Sequence, residues 1–319
     1  MHILTADIHQ LSLPAELAQT ESVLTVGAFD GIHLGHQALI RESIARAGVG
    51  SRAAGLVTFD PHPAAVLYPE RAPQVLTTSQ LKLDLLRDVG LDLVAMIPFT
   101  ARLAATPARE FVQALCQKLH MRELLVGPDF ALGSDRGGDL AALQALQSAF
   151  GFTVRSIPYV TQGGERVSSS HIRALLAKGE AAEAARLLGR WYSLRGRVVH
   201  GAQRGRGLGF PTANLQVAPE CLVPAYGIYA TLVTVGGTRY GAATNVGVRP
   251  SFDNGAPTIE AYLLDFDGDL YGRELELGFV RRLRPEKKFE NLQGLIDQMN
   301  DDVTQTRRVL QAERVPNRV

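Results

Sequence analysis

The sequence is poor in cysteine and in long apolar runs, and each shortage excludes a class of protein. Only two cysteines occur among 319 residues, Cys116 and Cys221, and they lie too far apart for a metal-binding spacing. We therefore expect both to be reduced and structural. No apolar run approaches the roughly 20 residues of a membrane-spanning helix, and the first residues lack the cationic and apolar segments of a signal peptide. These shortages predict a cytoplasmic protein with no membrane partner.

Net charge is also small, which argues against a polyanion as the main partner. The chain has 33 Lys and Arg against 32 Asp and Glu, a formal net charge of +1, whereas nucleic-acid-binding surfaces are strongly basic. Apolar residues make up 46% of the chain, enough at this length for two ordinary cores. We expect two domains and no nucleic-acid partner, and the sequence is compatible with an oligomer without indicating one.

The first half alternates short β-rich runs with amphipathic stretches, a pattern typical of a parallel sheet covered by helices. The predicted strands are 22–27, 53–59, 92–97, 122–127 and 152–157. The predicted helices are 36–47, 79–89, 106–119, 138–149, 170–178 and 180–188, and the third begins with the cap residue Thr106 and with Pro107 in its first turn. Right-handed crossovers bring the carboxyl ends of all these strands to one edge, where we expect ligands.

After Trp191 the pattern changes to short alternating runs typical of antiparallel strands in a small barrel or sandwich. The predicted strands are 192–200, 228–235, 238–246, 259–265 and 274–283. Gly236-Gly237 and Asp267-Gly268 are hairpin signals. A final helix, about 289–311, should pack an apolar stripe against this second domain, formed by Leu292, Leu295, Ile296, Met299 and Val303. We therefore expect domains at 1–187 and 188–319.

The most informative segment of the first half follows its first predicted strand and reads Gly-Ala-Phe-Asp-Gly-Ile-His-Leu-Gly-His over residues 27–36. Gly27 and Gly31 allow the backbone to turn sharply, while His33 and His36 would direct their rings toward the same bound group. The helix N-terminus adds free N–H groups and partial positive charge. This combination suits the phosphates of a nucleotide. The alternative for the two histidines is a surface pair or a pair of metal ligands.

This segment resembles the nucleotidyltransferase signature of the bifunctional riboflavin kinase/FAD synthetase family, within the wider HxGH adenylyltransferases. Further blocks similar to that family follow in order at Thr58–Pro63, Leu125–Phe130 and Val167–Arg173. The resemblance implies a Rossmann-like N-terminal domain that transfers AMP from ATP to FMN, giving FAD and pyrophosphate.

The resemblance also implies roles for individual residues of the first half. His33 and His36 would be catalytic donors to ATP oxygens. ATP would further be bound by Gly27, Phe29, Asp30, Gly35, Ser168, Ser169, Ser170 and Arg173. The flavin would be bound by Asp60, His62, Pro63 and Asp129. Read without the family, Ser168–Ser170 is a helix cap, Asp129 is a turn residue, and Asp60–Pro63 is a rigid loop. The 130–136 loop departs from the family in lacking a second aromatic residue and some basic character, and Ser170 stands where Thr is usual.

The second half contains a glycine-rich cationic loop followed by Phe-Pro-Thr-Ala-Asn at 210–214. Its glycines allow amide groups close to phosphates, and its arginines add charge. The loop residues are Gly201, Arg204, Gly205, Arg206, Gly207 and Gly209. The alternative is an RGG-like contact with RNA.

This loop resembles the signature of the riboflavin kinase module, a barrel, and later segments such as Asn245–Gly247 and Leu270–Gly272 match it in order. The resemblance implies that Gly201, Arg206, Gly207 and Gly209 bind ATP, that Thr212 and Asn214 hold Mg²⁺, and that Arg284 binds the flavin. Glu260 would be the catalytic base. Without the family match, Thr212 and Asn214 are turn residues and Glu260 is an exposed strand carboxylate. Tyr262 stands where the family has His.

The two resemblances together predict a bifunctional enzyme with ATP, riboflavin and FMN as its substrates. The fold expected is a Rossmann-like parallel α/β domain followed by an antiparallel β-barrel with a terminal helix. Riboflavin would be phosphorylated to FMN in the C-terminal domain, and FMN adenylylated in the N-terminal one, with Mg²⁺ for both steps. The alternatives are that only one domain is active, or that the chain is a non-catalytic flavin- or RNA-binding protein.

Overall fold

The computed structural model describes residues 1–201, 206–248 and 257–312, except the side chain of Arg206. Two compact units are present, Met1–Val167 and Ser168–Val319, and each is described by itself. The expected boundary between residues 187 and 188 lies further along the chain and stays a prediction about the functional domains.

The first unit is built on a six-stranded parallel sheet. Its strands are β1 (His2–Leu4), β2 (Ser22–Val26), β3 (Ala53–Asp60), β4 (Leu93–Pro98), β5 (Met121–Val126) and β6 (Thr153–Ser156). The strand order is β1-β4-β3-β2-β5-β6. All the strands predicted for this half are present, and β1 is additional. Three residues are too few to show a period, and β1 forms at the sheet edge by pairing with β4.

Helices cover both faces of this sheet. They are α1 (Leu34–Val49), α2 (Pro63–Leu67), α3 (Ser79–Arg87), α4 (Ala101–Ala104), α5 (Ala108–Lys118) and α6 (Leu140–Phe150). Successive residues of β2 belong to different cores: Leu24 packs with residues of α5 and α6, and Val23 packs with residues of α1 and α3. Because β2 is buried on both faces, it has the continuous apolar sequence typical of a central parallel strand.

One local prediction for this unit is wrong, and one hairpin in it was not predicted. Helix α5 begins at Ala108 with Pro107 as its N-cap, so Thr106 does not cap it. The Thr106 hydroxyl instead donates to the carbonyl of Arg102, because α4 ends two residues before it. An unpredicted hairpin, β7 (Thr161–Gln162) and β8 (Glu165–Arg166), follows β6.

The second unit begins with α7 (Ser169–Lys178) and α8 (Ala181–Leu188), which were both predicted, and continues into a closed antiparallel barrel. Its strands are β9 (Tyr192–Val199), β10 (Ala213–Val217), β11 (Gly227–Val235), β12 (Thr238–Val248), β13 (Pro257–Leu263) and β14 (Glu274–Arg284). The barrel closes in the order β10-β13-β12-β11-β14-β9. Strand β10 was not predicted, because its residues were assigned to the end of the glycine-rich loop.

One of the two predicted hairpins in the barrel is confirmed and the other is wrong. Gly236 and Gly237 join β11 to β12, with φ of +55° and +86°, values that glycine adopts without strain. Asp267-Gly268 lies between β13 and β14, which are not neighbours in the barrel. The segment therefore connects two separated strands and forms no hairpin.

The terminal helix α9 (Leu292–Ala312) packs against β11, β12 and β14. Leu295, Met299 and Val303 face the barrel side, as expected, but Leu292 is 58% exposed. The deepest residues of α9 are the polar Asp302 and Thr306, so the apolar stripe is not the whole contact. Across the described part of the chain, no helix is long and apolar enough to cross a membrane.

Candidate functional site

The predicted phosphate loop lies at the carboxyl end of β2, where the chain turns into α1. From β2 the sheet extends through β3 and β4 on one side and through β5 and β6 on the other, and parallel α/β sheets bind ligands at such a switch point. The loop is tightly folded, since Phe29, Gly31 and Ile32 have φ of +48°, +86° and +40°. Its amide groups are therefore fixed at the edge where a ligand is expected.

His33 and His36 are brought together at the start of α1. His33 caps the helix, because its Nδ1 accepts a hydrogen bond from the His36 N–H at 3.3 Å. The two rings stack with centroids 3.6 Å apart. A Cβ at Gly35 would lie 3.1 Å from the His33 ring, so glycine leaves room for this arrangement. The structure thus supplies a helix N-terminus with two adjacent imidazoles.

Asp30 and Phe29 were predicted to bind ATP, and the structure places both inside the loop. The Asp30 side chain is buried, and its carboxylate accepts hydrogen bonds from the backbone of Leu76 and Thr77 at 2.9–3.0 Å. The Phe29 ring lies 5.0 Å from that of His36. These contacts give both residues a role in shaping the loop, while direct contact with ATP stays a prediction.

A buried lysine beneath the loop escaped prediction. Lys82 of α3 is only 4% exposed, and its Nζ donates to the Ala28 carbonyl at 2.8 Å and to the Thr58 hydroxyl at 3.2 Å. Burial lowers the pKa of the Lys82 ammonium, while the negative charges of Asp30 and Asp60 act in the opposite direction. Its burial could have been predicted, because Lys82 lies one helical turn from Leu86 within the buried stripe of α3.

The ends of β3 and β5 carry the residues expected to bind the flavin. Asp60 is the exposed last residue of β3. His62 caps α2 by accepting from the Ala64 N–H at 3.2 Å, and Pro63 is the first residue of that helix. Both features match the rigid-loop alternative, and their contact with flavin stays a prediction.

Asp129 lies in the loop after β5 and is held by the hairpin that follows β6. Arg166 donates to its carboxylate at 2.6 Å. The hydrogen bond from Tyr159, followed by that from Arg166, lowers the pKa of the Asp129 carboxyl. The Arg166 guanidinium also lies 3.5 Å above the Tyr159 ring. Sequence patterns did not indicate this exposed group, because neither strand of the hairpin exceeds two residues.

The serine-rich segment begins α7 in the second unit. Ser168 is its N-cap and accepts from the His171 N–H at 3.2 Å, which matches the cap interpretation. Ser169, Ser170 and Arg173 occupy the first turns of the same helix. Their expected role toward ATP stays a prediction.

The barrel and α9 enclose a cavity of about 300 Å³, here called the helix cleft. Glu260 of β13 lines it, directly opposite Asn214 of β10 and Asn245 of β12 in the barrel pairing. Such paired residues have Cβ atoms about 5 Å apart, so two amides flank the carboxylate. Asn245 was not assigned a role, although asparagine is unusual inside a strand. Tyr262 also lines this cleft, with its ring 5.2 Å from that of Phe210.

A second cavity of about 550 Å³, the loop cleft, is lined by Pro211–Asn214 and by Phe266–Tyr271. Thr212 lines both clefts. Gly201 lies against the Asn214 amide, where any Cβ would overlap it. The start of the glycine-rich loop therefore packs against Asn214, one of the two predicted metal-binding residues. Gly207 and Gly209 lie in the described part of that loop, whereas Arg204, Gly205 and the Arg206 side chain lie outside the described residues.

Arg284 borders the helix cleft but is held by α9. Its guanidinium forms a two-point ion pair with Asp302, at 2.8 and 2.7 Å, and Asp302 is 4% exposed. Gln298 also donates to Asp302 at 3.2 Å. This pair fixes α9 to β14, and a contact of Arg284 with flavin stays a prediction.

The fold and both sites define a class of two-site transferases that act on nucleotides, with one site in an α/β unit and the other in a barrel. A family model for FAD synthetase matches residues 15–171, and one for riboflavin kinase matches residues 188–310. The chain is 34% identical over 305 residues to the bifunctional riboflavin kinase/FMN adenylyltransferase of Listeria monocytogenes, covering 95% of this chain and 97% of that one. It is 40% identical over 290 residues to the enzyme of that name from Pseudomonas fluorescens, covering 89% and 92%.

The chain belongs to the bifunctional riboflavin kinase/FMN adenylyltransferase family. Its fold is also similar, over 96% of this chain and 99% of the other, to a crystal structure described as a macrolide-efflux protein from Streptococcus pneumoniae. That likeness has a TM-score of 0.86 at 29% identity. The predicted family, fold class and pair of activities are thus confirmed.

Proposed function

We propose that the residues gathered at the two sites carry out the two reactions of this family in sequence. Riboflavin and ATP give FMN at the barrel, and FMN and a second ATP give FAD and pyrophosphate at the sheet edge. The observation that carries the proposal is the position of Glu260 in the helix cleft, together with Thr212, which lines both that cleft and the loop cleft.

Phosphorylation of riboflavin requires a base, because the attacking ribityl hydroxyl is neutral. A positioned carboxylate contributes about 10²–10⁴-fold to such a proton transfer. We assign this role to Glu260, with riboflavin in the helix cleft and the triphosphate of ATP in the loop cleft. The hydroxyl then meets the γ-phosphate beside Thr212, and the proton moves to Glu260 as the new O–P bond forms and ADP leaves.

The oxygen donors at this junction fit Mg²⁺. Thr212 offers a hydroxyl and Asn214 an amide oxygen, and Mg²⁺ commonly takes one or two protein ligands together with substrate phosphates and water. The close packing of Gly201 on Asn214 keeps that amide beside the start of the glycine-rich loop. Bound there, the ion would neutralise developing charge on the transferred phosphoryl group.

Adenylylation of FMN needs no comparable base, since its phosphate is already ionised at neutral pH. The requirements are alignment of that phosphate with the α-phosphate of ATP and stabilisation of the charge that develops there. We assign donor roles to His33 and His36, supported by their stacking at the N-terminus of α1. A cytoplasmic location and small-molecule partners belong to the same proposal, and the net charge of +1 and the scarcity of cysteine support them.

A time course with riboflavin and Mg-ATP tests the whole scheme. FMN should rise first and then fall as FAD appears, with ADP released in the first phase and pyrophosphate in the second. A parallel reaction started from FMN should give FAD without the delay. Transfer of AMP only to a non-flavin acceptor would overturn the assignment, and flavin binding without release of ADP or pyrophosphate would favour a binding protein.

A further inference from the structure

The Lys82 ammonium lies directly behind the loop to which the proposed function assigns ATP. The Ala28 carbonyl, the second residue of the loop, accepts hydrogen bonds both from Lys82 and from the Thr58 hydroxyl, at 2.8 and 3.0 Å. Thr58 also accepts from Lys82. The three groups form a closed triangle between α3, β3 and the loop.

This triangle determines where the next amide of the loop points. In a trans peptide the carbonyl oxygen and the following N–H point in opposite directions. Because Lys82 and Thr58 draw the Ala28 carbonyl inward, the Phe29 N–H is directed away from them. The positive φ of Phe29, +48°, is a conformation that a non-glycine residue adopts only when its surroundings impose it.

Stability of the fold does not account for a lysine at this position. Burying an ammonium is unfavourable unless it is paired, and among the described residues Lys82 forms hydrogen bonds only to the neutral groups of Ala28 and Thr58. The lowered pKa of the ammonium reflects the same loss of hydration. An unbranched apolar side chain would fill the space, and Thr58 alone would still satisfy the Ala28 carbonyl. A buried charge that does not stabilise the fold, and that lies next to a ligand-binding site, indicates a functional role.

We propose that Lys82 is a positioning residue for FMN adenylylation, which fixes the Phe29 N–H as a donor to the ATP phosphates and places a positive charge behind them. This proposal deepens the proposed function and rests on it. Through the weakly polar interior, a charge at this depth acts on the phosphates more strongly than it would through water. The negative charges of Asp30 and Asp60 offset part of the field of the ammonium, although neither carboxylate is hydrogen-bonded to it.

The test compares the full-length Lys82→Met variant with the wild type. With FMN supplied, we expect kcat for FAD formation to fall by about 10²-fold, the effect of a small misplacement at a reacting centre, while the KM for FMN is unchanged. Riboflavin phosphorylation by the same molecules is the internal control and should keep its rate. The thermal midpoint of the first unit should not fall.

Two further variants separate the charge from the orientation of the peptide. Lys82→Arg should recover part of the lost kcat, because a cation and its donors are restored. Thr58→Val should lower kcat, and the matched Thr58→Ser, which keeps the hydroxyl, should recover most of that loss. A wild-type kcat in Lys82→Met overturns the proposal, and so does a loss that merely follows a loss of folded protein.

A binding measurement keeps this proposal distinct from the assignment of the reaction. Calorimetric titration with α,β-methylene-ATP should give two sites in the wild type, and Lys82→Met should weaken one of them by about tenfold, as expected for one lost charge-assisted hydrogen bond. If the wild type makes no FAD but Lys82→Met still weakens nucleotide binding at one site, the positioning role of Lys82 is supported and the proposed reaction is refuted. If Lys82→Met leaves both affinities and kcat unchanged, the positioning role of Lys82 is refuted while the proposed reaction stands.

Discussion

Replacing Glu260 with glutamine removes a proton acceptor from the helix cleft while keeping the size of the side chain. The change is conservative for the barrel, because Glu260 lies on the outward face of β13 between the buried residues Ile259 and Ala261. Asn214 and Asn245, which flank it on neighbouring strands, can hydrogen-bond to an amide as well as to a carboxylate. The loss should therefore be confined to proton transfer.

The expected size of that loss follows from the role assigned. Neither flanking amide can accept the hydroxyl proton in place of Glu260, so the whole contribution of the base should disappear. A fall of about 10²–10⁴-fold in kcat for FMN formation is expected, which corresponds to about 3–5 kcal/mol of transition-state stabilisation. The KM for riboflavin should change little.

Chromatographic separation of riboflavin, FMN and FAD provides the assay. With riboflavin as substrate, Glu260→Gln should accumulate almost no FMN, and with FMN supplied it should form FAD at the wild-type rate. Glu274→Gln is a matched control, because Glu274 is an exposed strand carboxylate of the same barrel that lines neither described cleft. FMN formation at the wild-type rate in Glu260→Gln would refute the assignment of the base. Loss of both activities would indicate damage to the fold.

Three further predictions use the same protein. His36→Ala should lower FAD formation from supplied FMN by about 10²–10³-fold, as for loss of one transition-state donor, and should leave FMN formation intact; an unaffected rate of FAD formation would exclude His36. Chelation with EDTA should stop both reactions until Mg²⁺ is restored, and Thr212→Val should raise the Mg²⁺ concentration needed for FMN formation alone. Turnover in EDTA would remove the ion from the scheme. Burial raises the pKa of the Cys116 thiol to about 11, so only about one molecule in a thousand carries the reactive thiolate at pH 8. Iodoacetamide should therefore label Cys116 far more slowly in the native protein than in urea, and equal rates would contradict the burial.

Sequence periodicity predicted most of the fold, because the burial of each strand determines the order of apolar and polar residues along it. The central strand β2 reads as a continuous apolar run, and the barrel strands alternate, as in the buried and partly exposed residues of β13. Prediction failed where the pattern was too short or overlapped a motif, as for β1 and β10. The Asp267-Gly268 error has another origin, since a turn signal does not reveal which strands are neighbours.

The sites were predicted less completely for a related reason. His33 and His36 are close in sequence, so their juxtaposition at the start of α1 follows from one local motif. Glu260 meets Asn245 only because barrel closure pairs distant strands, and Lys82 reaches Ala28 only because α3 packs beneath the loop. Neither contact can be predicted from the spacing of residues along the sequence, because both form only in the assembled tertiary structure.

The closed barrel also orders events during synthesis of the chain. Strand β9 leaves the ribosome early in the second unit, yet one of its two partners is β14, the last strand in the described part of the chain. Until β14 emerges, β9 exposes an unpaired edge of the kind that promotes aggregation. The parallel sheet of the first unit is complete once β6 has emerged. The half that performs the second reaction is thus free to fold first, while the half that performs the first reaction cannot close its barrel until β14 has emerged.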